Sequence, residues 1–325
     1  MAKIDLLNLQ PQQISRDLRG KFILLYGQPK VGKTTLAAEL DHVLICGFEQ
    51  GTNALHNVLV QPIVKWEDWK QVVRQLVKDK DKLSDKIHTI AVDTVDEAYK
   101  LCEKYVCQEA NVDTIKEVAA FGGGYKILDD EFSSTLRDLS YAGYGLLFIS
   151  HSKDKEMIDE KGEKYNQIVP ALADRPFNII NKMVDIITYL RQIEVKEGEE
   201  TVKKRFLFFR EDNRFYAGSR FKHIIPKVEL SYDNLVKAIY DAIDKEIAEK
   251  GGSATDQQNP YLQRDFEDLM SEAKTIWNKI IIKEKTAEAS KILEEEFGKP
   301  TKFSEITADQ TDKLEKVLFK VKELV

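Results

Sequence analysis

The chain is poor in cysteine, holds no long apolar run and has no excess of positive charge. Each absence excludes a class of protein. Three cysteines (Cys46, Cys102 and Cys107) in 325 residues cannot all pair. So few do not make a secreted disulfide scaffold, and buried apolar thiols are expected instead. No stretch approaches the ~20 apolar residues that a bilayer-spanning helix needs. The opening Met1-Ala2-Lys3-Ile4-Asp5 is too polar for a secretion signal. A soluble cytoplasmic protein with no membrane partner is therefore expected. A net charge of −6 argues against a general basic coat for nucleic acid or anionic lipid, although a local basic site is still compatible with it. One such stretch is Lys196 to Lys227, with nine Lys or Arg against five Asp or Glu. It reads equally as solvated strand edges or as a phosphate-facing surface. What is present, 42% hydrophobic and 32% charged residues, is globular composition and excludes a wholly disordered chain.

The residues 251–260, rich in Gly, Ser, Asn and Pro, have the composition of a flexible linker. They divide a domain over 1–250 from a small helical module over 261–325. Before the linker, apolar runs at Phe22–Tyr26, Val43–Phe48, Ile87–Asp93 and Leu146–Ser150 alternate with helical patterns. Further strands are expected at Val184–Leu190 and Arg205–Phe209. Strands alternating with helices predict an α/β fold with a mostly parallel, helix-covered sheet. A last helix, Asn234–Glu249, should end at Gly251. In the tail, apolar stripes run from Phe266 to Ile281 and from Leu314 to Leu324. The second is opened by the capping-box spelling Thr307-Ala308-Asp309-Gln310. Both stripes read as core.

The sharpest signal is Gly27-Gln28-Pro29-Lys30-Val31-Gly32-Lys33-Thr34, followed by Thr35. It fits G-x-x-x-x-G-K-[ST] in full, between an apolar strand and a helical segment. Such a loop turns successive N–H groups toward phosphate oxygens. Its Lys reaches the β- and γ-phosphates, and its Thr hydroxyl binds Mg²⁺. ATP and Mg²⁺ are the expected cofactors. Asp93, closing the third core strand, suits the second magnesium-binding position beside Thr34. Glu49, just after the second strand, suits a base that orients and deprotonates water. His151, at the end of the fourth, suits a γ-phosphate sensor. Each has a plainer reading as a helix cap, a loop glutamate and a strand-end histidine. In many motor ATPases the base follows the Walker-B Asp directly, but here that position is Thr94.

A glutamate after the second strand, with Asp93 standing alone, resembles the RecA-like class. In order, Tyr26–Thr35, Phe48–Gly51, Ala91–Thr94, Phe121–Tyr125, Phe148–His151 and Tyr216–Arg220 resemble small phage-encoded RecA-like ATPases with an AAA domain. Some of these are single-strand annealing or recombination proteins. The resemblance implies a RecA-like P-loop NTPase fold over roughly Lys21 to Asp244, in a phage-infected or prophage-bearing bacterial cell. It implies catalytic roles for Glu49, Lys33, His151 and Arg220. In the family, a Lys-x-Arg at the last motif faces a neighbouring subunit's γ-phosphate. Here Arg220 is kept, but Gly218 stands where the Lys would be, so modest hydrolysis is expected. Arg220 also reads as a plain surface arginine.

Two loops match the family's DNA-binding stretches. Phe121-Gly122-Gly123-Gly124-Tyr125-Lys126 sets aromatics on either side of a glycine run, as stacking on bases would use. Ser152 to Pro176 contains a hairpin with a Lys161-Gly162 turn. The implied function is an ATP-dependent, single-stranded-DNA-binding recombination or annealing ATPase that assembles as an oligomer or filament. Single-strand-binding or other replication proteins are possible partners. The alternative is a P-loop regulator or loader that acts on a replication protein through its helical tail, without touching DNA. A small-molecule kinase stands third, since no arginine-rich acceptor lid is evident.

Overall fold

The computed structural model describes residues 13–53, 55–255, 266–307, 310–322 and 324. They fall into two compact units, one within Gln12–Pro260 and one within Tyr261–Val325. The polar opening Met1–Asp5, residues 256–260 of the expected linker, and Ala308 and Asp309 of the capping-box spelling lie outside the described residues.

In the larger unit, β1 (Ile14–Ser15) precedes β2 (Phe22–Gly27), α1 (Lys33–Ala38), β3 (Val43–Gly47) and β4 (Leu59–Pro62). Next come α2 (Trp66–Lys78), α3 (Lys80–Leu83), β5 (Thr89–Asp93), α4 (Val95–Glu109), α5 (Ile115–Val118) and α6 (Gly123–Tyr141). The long strands β6 (Gly145–Ile158) and β7 (Lys164–Pro170) form a hairpin, and α7 (Asp174–Met183) leads to β8 (Ile186–Glu197) and β9 (Glu200–Phe208). The unit closes with β10 (Gly218–Ser219), β11 (Lys227–Glu229), α8 (Tyr232–Lys250) and β12 (Ala254–Thr255).

The main sheet has the order β11-β9-β8-β2-β6-β5-β3-β4. Its six strands from β8 to β4 are parallel, as the alternating pattern predicts. The last strands depart from that rule: β9, β10 and β11 add in antiparallel pairing, because a short turn after β8 leaves no room for a crossover helix. β4 and α7 had no clear sequence signal. β4 is a largely exposed edge strand ending in Pro62, and α7 carries Pro176 in its first turn, where a missing N–H is tolerated.

Both faces of the sheet are covered, which is why β2 and β5 read as unbroken apolar runs. One layer packs α2, α4, α6 and α7 against side chains such as Leu24, Tyr26, Ile90 and Phe148. The other packs α1 and α8 against Ile23, Leu25, Ile45, Ile149 and Leu207. Buried Trp66 and Trp69 join α2 to α6. Their indole N–H groups donate to Glu131 Oε1 at 2.8 Å and Thr135 Oγ1 at 3.0 Å, so neither is left unsatisfied. Cys46, Cys102 and Cys107 are free and buried, and burial pushes the Cys46 thiol up to about 12.

Two expectations are corrected here. Within the expected linker 251–260, Ala254 and Thr255 pair in parallel with Ile14 and Ser15. The glycine run is not an open loop: Gly123 and Gly124 begin α6. A β-carbon on Gly124 would lie 2.0 Å from the Ile115 carbonyl oxygen, so that glycine serves the packing of α5 on α6. Gly124→Ala is expected to cost about 1–3 kcal/mol through overpacking, read as a lower urea midpoint with an unchanged m-value. Parent-like stability would show that α5 yields freely.

The smaller unit consists of α9 (Phe266–Ile282), α10 (Thr286–Phe297) and α11 (Thr311–Lys322). Leu269, Ala273, Ile276, Ile280, Leu293, Leu314, Val317 and Val321 make its own core, so both stripes contribute to it, although Ile281 at the end of the first is exposed. Before α11, Gln310 Oε1 accepts from the Thr307 N–H at 3.3 Å. Among the described residues, no helix is long and apolar enough to cross a membrane.

Candidate functional site

The phosphate loop leaves the C-terminal end of β2, between β6 and β8. Lys30 (φ 63°) and Gly32 (φ 111°) take the left-handed region, where alternation along a loop turns backbone N–H groups to one concave side. Gly32 tolerates its φ because it lacks a β-carbon. Lys33 is buried at 6% exposure. Its Nζ donates to the carbonyls of Gly27 and Gln28, both at 2.9 Å. Burial lowers the Lys33 pKa, and the carboxylates of Asp93, Glu49 and Asp96 oppose that shift.

Across the sheet, β6 separates the loop strand from β5, so Asp93 stands one strand removed from Gly27. Thr34 Oγ1 donates to Asp93 Oδ2 at 2.7 Å. Burial pushes the Asp93 carboxyl pKa up; the Thr34 hydrogen bond draws it down, and Glu49 adds to the rise. The pairing of Thr34 with Asp93 supplies hard oxygen donors, the set Mg²⁺ prefers, so these residues fit the expected ion.

Glu49 is placed by backbone geometry. The Asp93 carbonyl accepts from the N–H groups of Phe48 at 2.7 Å and Glu49 at 3.3 Å, which folds the end of β3 over the end of β5. The Glu49 carboxylate then accepts from Thr94 Oγ1 at 2.7 Å. His151 Nε2 lies 3.3 and 3.2 Å from its two oxygens. Asp96, on the first turn of α4, accepts from Ser150 Oγ at 2.7 Å and from the His151 N–H at 3.0 Å. Burial raises the Asp96 pKa against those two bonds. Asp96 thus holds His151 in position, whereas Glu97 pairs with Lys100 at 2.5 Å.

Lys33, Thr34, Glu49, Asp93 and His151 therefore converge at one end of the sheet. Arg220 does not join them. It follows β10, which pairs with Ile186 and Ile187 at the start of β8, while the phosphate loop adjoins Leu190, further along the same strand. Arg220 Nη1 bonds Asp185 Oδ1 at 3.1 Å and its Nη2 bonds the Lys182 carbonyl at 2.6 Å. Thr94 and Asp96 as holders of Glu49 and His151 were missed by sequence reading. Thr94 follows Asp93 directly, and this adjacency was the available signal. Of the two expected DNA stretches, Phe121 is fully exposed at φ 54° beside Gly122. The hairpin is present, with Ile158 opposite Lys164.

A mostly parallel sheet, helices on both faces and a phosphate loop between β2 and α1 define a P-loop nucleotide-binding protein. The profile of a family described as the AAA domain matches residues 19–221, more than half of the chain, and the chain belongs to that family. It is also 30% identical, over 99% of each chain, to the SPbeta prophage-derived uncharacterized protein YorG of Bacillus subtilis (strain 168).

Proposed function

We propose that this protein is a magnesium-dependent ATPase of the RecA-like kind that binds single-stranded DNA and assembles on it as an oligomer. One observation carries the ATPase reading: the Glu49 carboxylate, oriented by Thr94 and His151, stands at the same sheet end as the Thr34–Asp93 pair and Lys33. Magnesium held by Thr34 and Asp93 would neutralise charge on the β- and γ-phosphate oxygens. Lys33 binds those oxygens, and Glu49 orients the attacking water and takes its proton. His151 holds the Glu49 carboxylate and, in this reading, senses the γ-phosphate.

The DNA reading rests on exposed Phe121 and on the β6–β7 hairpin, which carries exposed Lys155, Lys161 and Lys164. Aromatic and cationic groups on exposed segments are what base stacking and backbone contact require. Labelled oligonucleotide should bind in the presence of ATP, in a salt-sensitive manner, and light scattering should show an oligomer on the strand. A monomer that ignores the oligonucleotide with and without ATP would overturn this reading. Exposed Ile281 and Ile282 at the end of α9 favour the second reading, a loader that docks a protein on its helical tail. ATPase activity that answers to a protein and not to DNA would select it. The role of Arg220 toward a neighbour's phosphate belongs to the oligomer proposal, since within its own chain it is held by Asp185.

A further inference from the structure

β9 carries three consecutive cations, Lys203, Lys204 and Arg205. The first two have acidic partners. Lys203 lies 3.9 Å from Glu194, and Lys204 pairs with Glu197 at 2.5 Å and with Glu229 at 3.5 Å. Arg205 differs: among the described residues no carboxylate pairs with its guanidinium, and its side chain is exposed.

Its surroundings are instead the phosphate loop. Strand alternation puts Arg205 on the same face as Leu207, which packs in the α1–α8 layer. Arg205 Nη1 lies 3.4 Å from the carbonyl oxygen of Val31. A β-carbon built on Gly32 would meet that nitrogen at 2.7 Å and Leu230 Cδ2 at 3.3 Å. The backbone beneath is anchored: Arg205 sits opposite Gln192 of β8, and its carbonyl accepts from the Leu230 N–H at 2.8 Å.

A guanidinium offers five donors in a planar fork, and one long bond to a carbonyl leaves most of them to other partners. Phosphate oxygens match that fork bidentately, and the loop beside it is built to hold phosphates. We propose that Arg205 is a nucleotide-binding residue of the same chain, contacting the polyphosphate from the β9 side. This rests on the reading of the loop as a nucleotide site. The sheet order fixes which part it meets. Glu49 and Asp93 stand on the β5–β3 side of β2, whereas β9 lies on the other side, beyond β8. Arg205 therefore grips the portion of the phosphate chain away from the attacking water. It stabilises bound ATP and bound ADP alike, which is uniform binding and acts on KM rather than on kcat.

Titration calorimetry with ATP and with ADP, in magnesium buffer, tests this on the full-length protein. Arg205→Ala is expected to weaken both nucleotides by about 10-fold or more, the scale of one charge-assisted hydrogen bond. KM for ATP should rise in step while kcat changes little, and Arg205→Lys should recover part of the loss. Parent-like affinities in Arg205→Ala, alongside lost binding in Lys33→Ala, would overturn the role of Arg205 and leave the nucleotide site standing. A collapse of kcat with unchanged ADP affinity would also overturn it, by moving the contact to the γ-phosphate. If the parent bound neither nucleotide, the loop reading itself would fall.

Discussion

Lys33→Ala is expected to remove nucleotide binding almost entirely, with ATP affinity at least about 100-fold weaker than that of the parent. The ammonium is buried, already directed by the Gly27 and Gln28 carbonyls, and burial lowers its pKa against three nearby carboxylates. Those carboxylates favour its charged form against burial, and incoming phosphates would favour it further. Truncation deletes the charge-assisted contact and removes the ammonium that offsets the negative charge of Asp93, Glu49 and Asp96. Both effects oppose binding. Calorimetric titration with ATP and magnesium reads the loss, and a thermal melt without nucleotide shows whether the fold is intact. A variant that binds and turns over ATP like the parent would show that the loop is not the nucleotide site.

Glu49→Gln separates binding from chemistry. The substitution keeps an oxygen that can accept from Thr94 Oγ1, now at 2.7 Å, but the amide cannot take a proton from water. ATP affinity should stay near that of the parent while turnover falls by on the order of 10²-fold or more, the usual scale for loss of a general base. The ratio of steady-state rate to nucleotide affinity in the same preparation decides it. Unchanged turnover in Glu49→Gln, with a collapse in Asp96→Asn or Glu97→Gln, would move the base to α4. The bonds of Asp96 to Ser150 and His151 and of Glu97 to Lys100 argue that neither is free for that task.

The parts of the site that are contiguous in the chain were legible before any fold was known. Gly27 to Thr34 is a single turn of backbone, so its chemistry can be read from spacing. Asp93, Glu49 and His151 were legible as a set because each closes an apolar run, and parallel strands end at a common edge. Glu49 was found through its place after β3, and the hydroxyl that orients it, on Thr94, was not. The glycine run before Tyr125 was read as an approach for a ligand, yet Gly124 is required by the Ile115 carbonyl, a neighbour from a separate helix.

The sequence by itself determined the phosphate loop, the core strands with their covering helices, and the membership of β2, β3, β5 and β6 in one parallel layer. Those features follow from local periodicity and from the short-range steric demands of glycine, lysine and threonine. Tertiary structure alone decided the lateral order of the strands, the antiparallel extension by β9 to β11, and hence which distant side chains meet. Arg205 lies 174 residues from Val31 in the chain and beside it in space, whereas Arg220, only 15 residues further on, lies by the start of β8, bound to Asp185 and away from the loop. The physical reason is that backbone hydrogen bonding between strands carries no residue code. Register and neighbour choice come from the summed burial of two whole faces, which no window along the chain contains.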